Sequence, residues 1–99
     1  MIRAVRTALQ VTDYARRLAP ETRRAVKQAL KGLGHDRGDI RVLEGNLAGF
    51  HRLRVGRHRL IFAYRADDLI DVLFIEERRL VYEIFEAEFI AKLKSPKRR

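Results

Sequence analysis

The chain has 99 residues, enough for one domain with a modest core, and 46% of them are hydrophobic, which excludes a disordered tail. Its 22 basic and 13 acidic residues give a net charge of +9, so a polyanionic partner is expected. It contains no cysteine, which excludes disulfides and thiolate chemistry, and no apolar run is long enough for a signal peptide or a membrane span. The sequence therefore predicts a single cytoplasmic domain over residues 1–99 with no membrane partner.

The N-terminal part is predicted to form a short strand and two antiparallel helices. Residues 2–6 have the pattern of a strand. Residues 7–10 (TALQ) have the form of a capping box for a first helix over 8–18. Pro20 suits the first turn of a second helix, which Gly32 and Gly34 are predicted to end near Leu33.

The C-terminal part is predicted to be a β-meander followed by a helix. An extended segment over 40–43 precedes a hairpin with strands over 50–55 and 57–64, joined at Gly56. The run over 69–75 is nearly all apolar, which is typical of a strand buried on both of its faces.

Apolar residues recur at helical spacing over 79–93, so this segment is predicted to be helical, and residues 95–99 are predicted to be a frayed basic tail. The predicted order is β-α-α-β-β-β-α. It indicates an α+β fold with an N-terminal strand, an α-helical hairpin, a three-strand antiparallel meander and a C-terminal helix, with the helices on one face of the sheet.

The hairpin carries the densest group of positive charges in the chain. Strand alternation places Arg52 and Arg54 on one face, with Arg57 and Arg59 across the turn, in a patch about 10 Å across. Like charges this close repel one another, so they are interpreted as a phosphate-binding surface. The alternative is a solvated edge hairpin without a ligand.

The sequence predicts no metal site and no cofactor. The three histidines lack the spacing of metal ligands. Asp67, Asp68 and Asp71 have the chemistry to hold a hard cation, but a turn followed by a solvent-facing strand residue explains them better.

Two patterns resemble a known family. Residues 43–62 read L-x-G-x-L-x-G-x-x-R-L-R-V-G-x-x-R-L-I-F, which resembles the signature of the RelE/ParE superfamily of bacterial toxin–antitoxin toxins. Residues 75–82 read I-x-E-R-R-L-V-Y, which is similar to the closing arginine-and-tyrosine motif of that superfamily. Within the superfamily, the RelE branch comprises ribonucleases that cut messenger RNA in the ribosomal A site without a metal, and the dense arginine hairpin favours this branch.

The resemblance implies roles for individual residues. Arg52 and Arg54 occupy positions that bind and activate the substrate, and Arg59 matches the arginine that stabilises the phosphate. Arg78 and Tyr82 match the closing motif, where the tyrosine stacks on a base or orients the attacking hydroxyl. The predicted RNA-binding residues share a basic side chain in or after the hairpin; they are Arg52, Arg54, Arg57, Arg59 and Arg79.

The chain also departs from the family pattern. Glu77 stands where many members have a histidine before the closing arginine. Arginine does not deprotonate, so Arg52 and Arg54 are poor general bases. Strand alternation also points the hairpin histidines away from the arginines. Glu76 or Glu77 is therefore hypothesised to supply a carboxylate base.

The resemblance implies partners as well. An acidic antitoxin, partly disordered when free, would cover the positive surface, with a docking groove around Phe85 and Phe89; the alternative is that these two residues close the core. The ribosome and messenger RNA are implied as targets, and operator DNA as a partner reached through the antitoxin. Two other functions stay open: a ParE-like inhibitor of DNA gyrase, and an inactive module that binds RNA or an antitoxin.

Overall fold

The computed structural model describes residues 2–77 and 82–88, which form one sheet with helices packed on it. Met1, residues 78–81 and residues 89–99 lie outside this description, and so do the predictions made for Arg78, Arg79 and Phe89. In chain order, the elements are β1 (Ala4–Thr7), α1 (Leu9–Arg16), α2 (Pro20–Leu33), β2 (Asp39–Val42), β3 (His51–Val55), β4 (His58–Arg65), β5 (Leu69–Glu77) and α3 (helical over residues 82–88). None of the described helices is long and apolar enough to cross a membrane.

The strand order in the sheet is β1-β5-β4-β3-β2. β1 runs parallel to β5, while β2 to β5 form an antiparallel meander. The α+β prediction is confirmed, and the extended segment before the hairpin is a fourth strand of the meander. This extra strand matters for the site because β2 covers one edge of β3.

The helices lie on both faces of the sheet rather than on one. α1 and α2 bury Val11, Val26 and Leu33 against one face, which we call the helix-covered face. On the opposite face, Phe85 of α3 packs against the apolar side chains of β4 and β5, including Phe74. Buried residues of β4 alternate between these two cores, because successive side chains of a strand point to opposite faces.

The capping-box prediction for α1 is wrong. The N-cap is Ala8, without a side-chain hydrogen bond to the helix. Gln10 instead bonds to the backbone of Ile75: its Nε2 donates to the carbonyl oxygen at 2.8 Å, and its Oε1 accepts from the N–H at 2.9 Å. β5 extends past the end of β1, so these backbone groups need partners, and an amide side chain offers both a donor and an acceptor.

Asp71 of β5 is not the solvent-facing residue that the sequence predicts. Its side chain is only 13% exposed. It accepts two hydrogen bonds of 3.2 Å from Arg6 on the neighbouring β1, and a third of 3.4 Å from Arg65. The hydrogen bonds from Arg6, followed by its charge and the contact with Arg65, hold the pKa of Asp71 below its ordinary value. The Asp71 carboxylate thus links β5 to β1 and β4.

Candidate nucleic-acid interface

Strand register brings four arginines together on the sheet face opposite α1 and α2. One cross-strand row consists of Arg41, Arg52, Ile61 and Phe74, and the next row consists of Asp39, Arg54, Arg59 and Glu76. Directly paired residues of antiparallel strands point to the same side of a sheet. We call the part of this face formed by Arg41, Arg52, Arg54 and Arg59 the cationic face.

Arg54 and Arg59 form the open centre of the cationic face. They are directly opposite each other on β3 and β4, so two like charges share one cross-strand pair. Arg54 is exposed, and its Nε donates to the carbonyl oxygen of Gly56 at 3.3 Å. Arg59 is half-buried and makes no ion pair with the residues that the structure describes. Its charge is available to an anion.

Arg52, in contrast, is buried and engaged. It is 6% exposed, and its Nη2 donates to Oδ1 of Asp39 at 2.8 Å. Its Nε is buried as well and has no hydrogen-bond partner within residues 2–77 and 82–88. The sequence predicts that Arg52 binds and activates the substrate. In the structure its side chain is buried, and a carboxylate of β2 already occupies its Nη2.

Arg57 does not lie on the cationic face. Val55 pairs with His58, so Gly56 and Arg57 form a two-residue turn, and β4 begins one residue later than predicted. Gly56 has a φ of +60°, a backbone conformation that glycine adopts without strain. The Arg57 side chain is 84% exposed, and its Nη1 lies 3.3 Å from Oε2 of Glu77. If Arg57 contacts RNA as predicted, it does so from the hairpin turn and not from the cationic face.

The two candidate bases occupy different positions. Glu76 is paired with Arg59 in the β4–β5 register, whereas Glu77 is paired with His58 and bonded to Arg57. The Glu76 carboxylate accepts a hydrogen bond from the N–H of Glu77 at 3.1 Å. Burial, followed by the negative charges of Glu76 and Glu77 and a hydrogen bond to the Glu76 side chain, raises the pKa of Tyr14 on α1, so Glu76 also interacts with this tyrosine. Of the two acids, Glu76 is the one on the strand row of Arg59.

Both hairpin histidines lie on the helix-covered face, as strand alternation predicts. The ring of His58 is buried and meets Tyr14 edge-on, with a centroid distance of 5.6 Å. His51 stacks on Phe62 at 5.3 Å and meets the edge of Tyr64 at 4.9 Å. Burial lowers the pKa of His51 below its ordinary value. Neither imidazole is placed to exchange a proton with a substrate on the cationic face.

α3 borders the cationic face with a tyrosine and closes the adjacent core with a phenylalanine. Tyr82 is half-buried against the cluster formed by Leu47, Phe50, Ile61, Ala63, Phe74 and Phe85. Phe85 is 5% exposed, with its ring centroid 5.3 Å from that of Phe50. The prediction that Phe85 lies on an exposed apolar surface is wrong, because the aromatic rings of the sheet cover it.

Sequence reasoning missed Asp39 and Arg41 on β2. They are separated by one residue, so they share a strand face, and the register sets them opposite Arg54 and Arg52. β2 has four residues, of which only Ile40 and Val42 are apolar, so periodicity gives a weak signal. The R-V-L run after a polar loop was the available clue that a strand carries another arginine into the cluster.

No protein-family model and no curated protein matches the sequence. Solved structures do match. A chain of the toxin–antitoxin complex RelBE2 from Mycobacterium tuberculosis is 23% identical, with a TM-score of 0.69 over 79% of this chain and 100% of that one. A chain of the RelB–RelE complex from Methanococcus jannaschii is 18% identical, with a TM-score of 0.63 over 80% and 96%. A chain of the YoeB–YefM complex from Staphylococcus aureus is also 18% identical, with a TM-score of 0.61 over 79% and 99%.

This is the RelE-type toxin fold. Among the described residues, one sheet face carries the arginines of β2, β3 and β4 beside the apolar cluster against which Phe85 of α3 packs. Guanidinium groups bind phosphate oxygens through paired hydrogen bonds and keep their charge at any accessible pH. The arrangement can therefore hold a phosphate between Arg54 and Arg59 and neutralise charge that develops on it.

Proposed function

We propose that this protein is the toxin of a toxin–antitoxin pair and that it inhibits translation by ribosome-dependent cleavage of messenger RNA in the cytoplasm. The observation that carries the proposal is the facing pair Arg54 and Arg59 on an open sheet face of a RelE-type fold. A folded chain gains nothing from two like charges set opposite each other, so an anion is the natural partner of the pair.

The proposed chemistry is transesterification at one phosphate of the RNA backbone. The 2′-hydroxyl oxygen forms a bond to the adjacent phosphorus, the bond from phosphorus to the 5′-oxygen breaks, and the products are a 2′,3′-cyclic phosphate and a 5′-hydroxyl. Arg54 and Arg59 hold the phosphate and stabilise the extra negative charge of the pentavalent state. Arg78, which lies outside the described residues, keeps the catalytic assignment that its match to the closing motif implies.

The attacking 2′-hydroxyl loses a proton to a base, and the leaving 5′-oxygen takes one up from water. We assign the first transfer to Glu76, because its strand position is beside Arg59, while Glu77 is bonded to Arg57. To accept the proton, the Glu76 carboxylate leaves the N–H of Glu77 and the Tyr14 side chain with which it interacts. Tyr82, at the border of the face, orients the hydroxyl or stacks on a base.

The partner in this proposal is an antitoxin. The three structural neighbours were solved as toxin–antitoxin complexes. A net charge of +9 favours an acidic partner segment that folds as it binds. Such a segment would cover the cationic face and keep the toxin silent.

The first prediction concerns Arg59→Ala and Tyr82→Phe. Induced wild type is expected to arrest growth and to produce ribosome-dependent cuts mapped by primer extension. Arg59→Ala should lower the cleavage rate by roughly 10²- to 10³-fold, as for loss of one transition-state charge partner. Tyr82→Phe removes only a hydroxyl and should have a smaller effect. Arg37→Ala is the control, because this exposed arginine lies in the loop after α2.

Equal toxicity of wild type and both site variants would contradict the assignment. Inhibition of DNA supercoiling by purified protein, without messenger RNA cleavage, would instead identify a gyrase inhibitor. An inactive RNA-binding module is the alternative that one observation favours: neither hairpin imidazole reaches the arginines. Cleavage lost in Glu76→Gln but retained in Glu77→Gln would exclude that alternative and support the choice of base.

A further inference from the structure

Arg41 is an exposed cation on the cationic face. It is paired directly with Arg52 in the β2–β3 register and therefore points to the same side of the sheet. The two differ in exposure, because Arg41 is open to solvent while Arg52 is buried. Across the described part of the chain, the Arg41 side chain shows no ion pair and no hydrogen bond. Its guanidinium group is ready to bind a ligand.

Arg52, unlike Arg41, already has an acidic partner. Its guanidinium group is held by Asp39 across the β2–β3 pair, so much of its charge is already neutralised. Asp39 comes two residues before Arg41 on the same short strand. This partly buried bond therefore ties β2 to β3 beside the position of Arg41.

We propose that Arg41, rather than Arg52, binds a backbone phosphate of single-stranded RNA next to the phosphate held by Arg54 and Arg59. Arg52 and Asp39 act as positioning residues for the strand that carries Arg41. The inference rests on the proposed function and adds a second phosphate subsite to it.

The spacing of the strands leaves room for a second phosphate beside the first. β2 and β4 are two strand spacings apart, about 10 Å, and Arg41 is offset from the row of Arg59 by two residues, about 7 Å. The Cα atoms of Arg41 and Arg59 are thus separated by roughly 12 Å. Arg41 is thus far enough from the Arg54–Arg59 pair to reach a neighbouring phosphate of the same RNA strand.

The test is binding of a fluorescein-labelled single-stranded RNA of twelve nucleotides, 2′-O-methylated throughout so that it cannot be cleaved. Fluorescence anisotropy gives the Kd at several salt concentrations. We expect Arg41→Gln to raise Kd by about tenfold, as for one lost charge-assisted contact. The slope of log K against log salt should also fall by about 0.7, the value for one phosphate contact on a single strand.

Two further proteins complete the test. Arg37→Gln has the same net charge as Arg41→Gln. It should change Kd by less than about twofold and leave the slope of log K against log salt unchanged. The double variant Arg52→Gln/Asp39→Asn keeps the net charge and replaces the ion pair with two amides. Its slope should equal that of wild type, because a positioning pair contributes no phosphate contact; thermal melts followed by circular dichroism report whether it folds.

Arg41→Gln is a surface change, so its result stands whether or not the double variant folds. The proposal is overturned if Arg41→Gln binds like Arg37→Gln, if wild type does not bind this RNA, or if the folded double variant loses a slope of about 0.7. The assay measures binding alone. RNA binding that depends on Arg41 in a protein without cleavage activity would therefore refute the proposed function and leave this inference in place.

Discussion

The two faces of the β3–β4 hairpin have opposite physical characters. On the helix-covered face, Leu53, Leu60 and Phe62 are fully buried, and the two histidines are packed against aromatic rings. On the cationic face, Arg54 is exposed and stands opposite the half-buried Arg59. The same hairpin thus stabilises the fold with one set of side chains and presents charge with the other. Stability and ligand binding can be altered separately in this hairpin.

The largest effect that tests this separation is expected from Phe62→Ala. Phe62 is completely buried among α1, α2 and the sheet, so its loss leaves a cavity and should lower the free energy of unfolding by about 3–5 kcal/mol. Arg54→Ala, eight residues away on the other face, should change it by less than about 0.5 kcal/mol. Urea denaturation followed by circular dichroism measures both. Similar losses in the two variants would show that the faces are not separable.

A smaller effect is expected from the arginine pair itself. A double-mutant cycle with Arg54→Gln, Arg59→Gln and the double variant isolates their interaction in the folded protein. Like charges directly opposite each other are destabilising, so the coupling should be unfavourable by about 0.2–1 kcal/mol. It should shrink between 50 and 500 mM salt, since exposed charges are screened. A favourable coupling would mean that the pair is structural.

The smallest effect is a pH dependence on the helix-covered face. Burial lowers the folded-state pKa of His51, so the unfolded chain takes up a proton that the folded chain resists. Stability due to the neutral ring is therefore complete above the unfolded pKa of about 6.5 and declines as the pH falls below it. The slope for one proton is at most about 1.4 kcal/mol per pH unit.

His51→Phe keeps an aromatic ring against Phe62 and removes the titration. Its stability, measured by urea denaturation from pH 7 to pH 5, should decline less than that of wild type. His35→Phe is the control, because His35 is exposed in the loop after α2 and should leave the decline unchanged. An identical decline in wild type and His51→Phe would assign the pH dependence to another group.

Local sequence patterns predicted what depends on local geometry. The alternation of side chains along β3 and β4 correctly placed the hairpin histidines, His51 and His58, on the face opposite Arg52, Arg54 and Arg59. Pro20 marked the start of α2. The patterns failed where a residue far away in the sequence determines the placement of a side chain. Arg52 is buried because Asp39 arrives on another strand, and Gln10 leaves its predicted cap for backbone groups of Ile75, 65 residues away. Arg57 was misplaced by one residue, because a tight hairpin turn needs two residues rather than one.

The parallel pairing of β1 with β5 has a consequence for how the chain reaches its native state. β2 to β5 can pair in succession as each is made, since neighbouring strands are joined by short connections. β1 is synthesised before β5, the strand with which it pairs, and the two are far apart in the sequence: Arg6 and its partner Asp71 are separated by 65 residues. Closing so long a loop is slow compared with forming a hairpin. We therefore expect the arginine surface to assemble on the nascent chain before its first strand is locked in place.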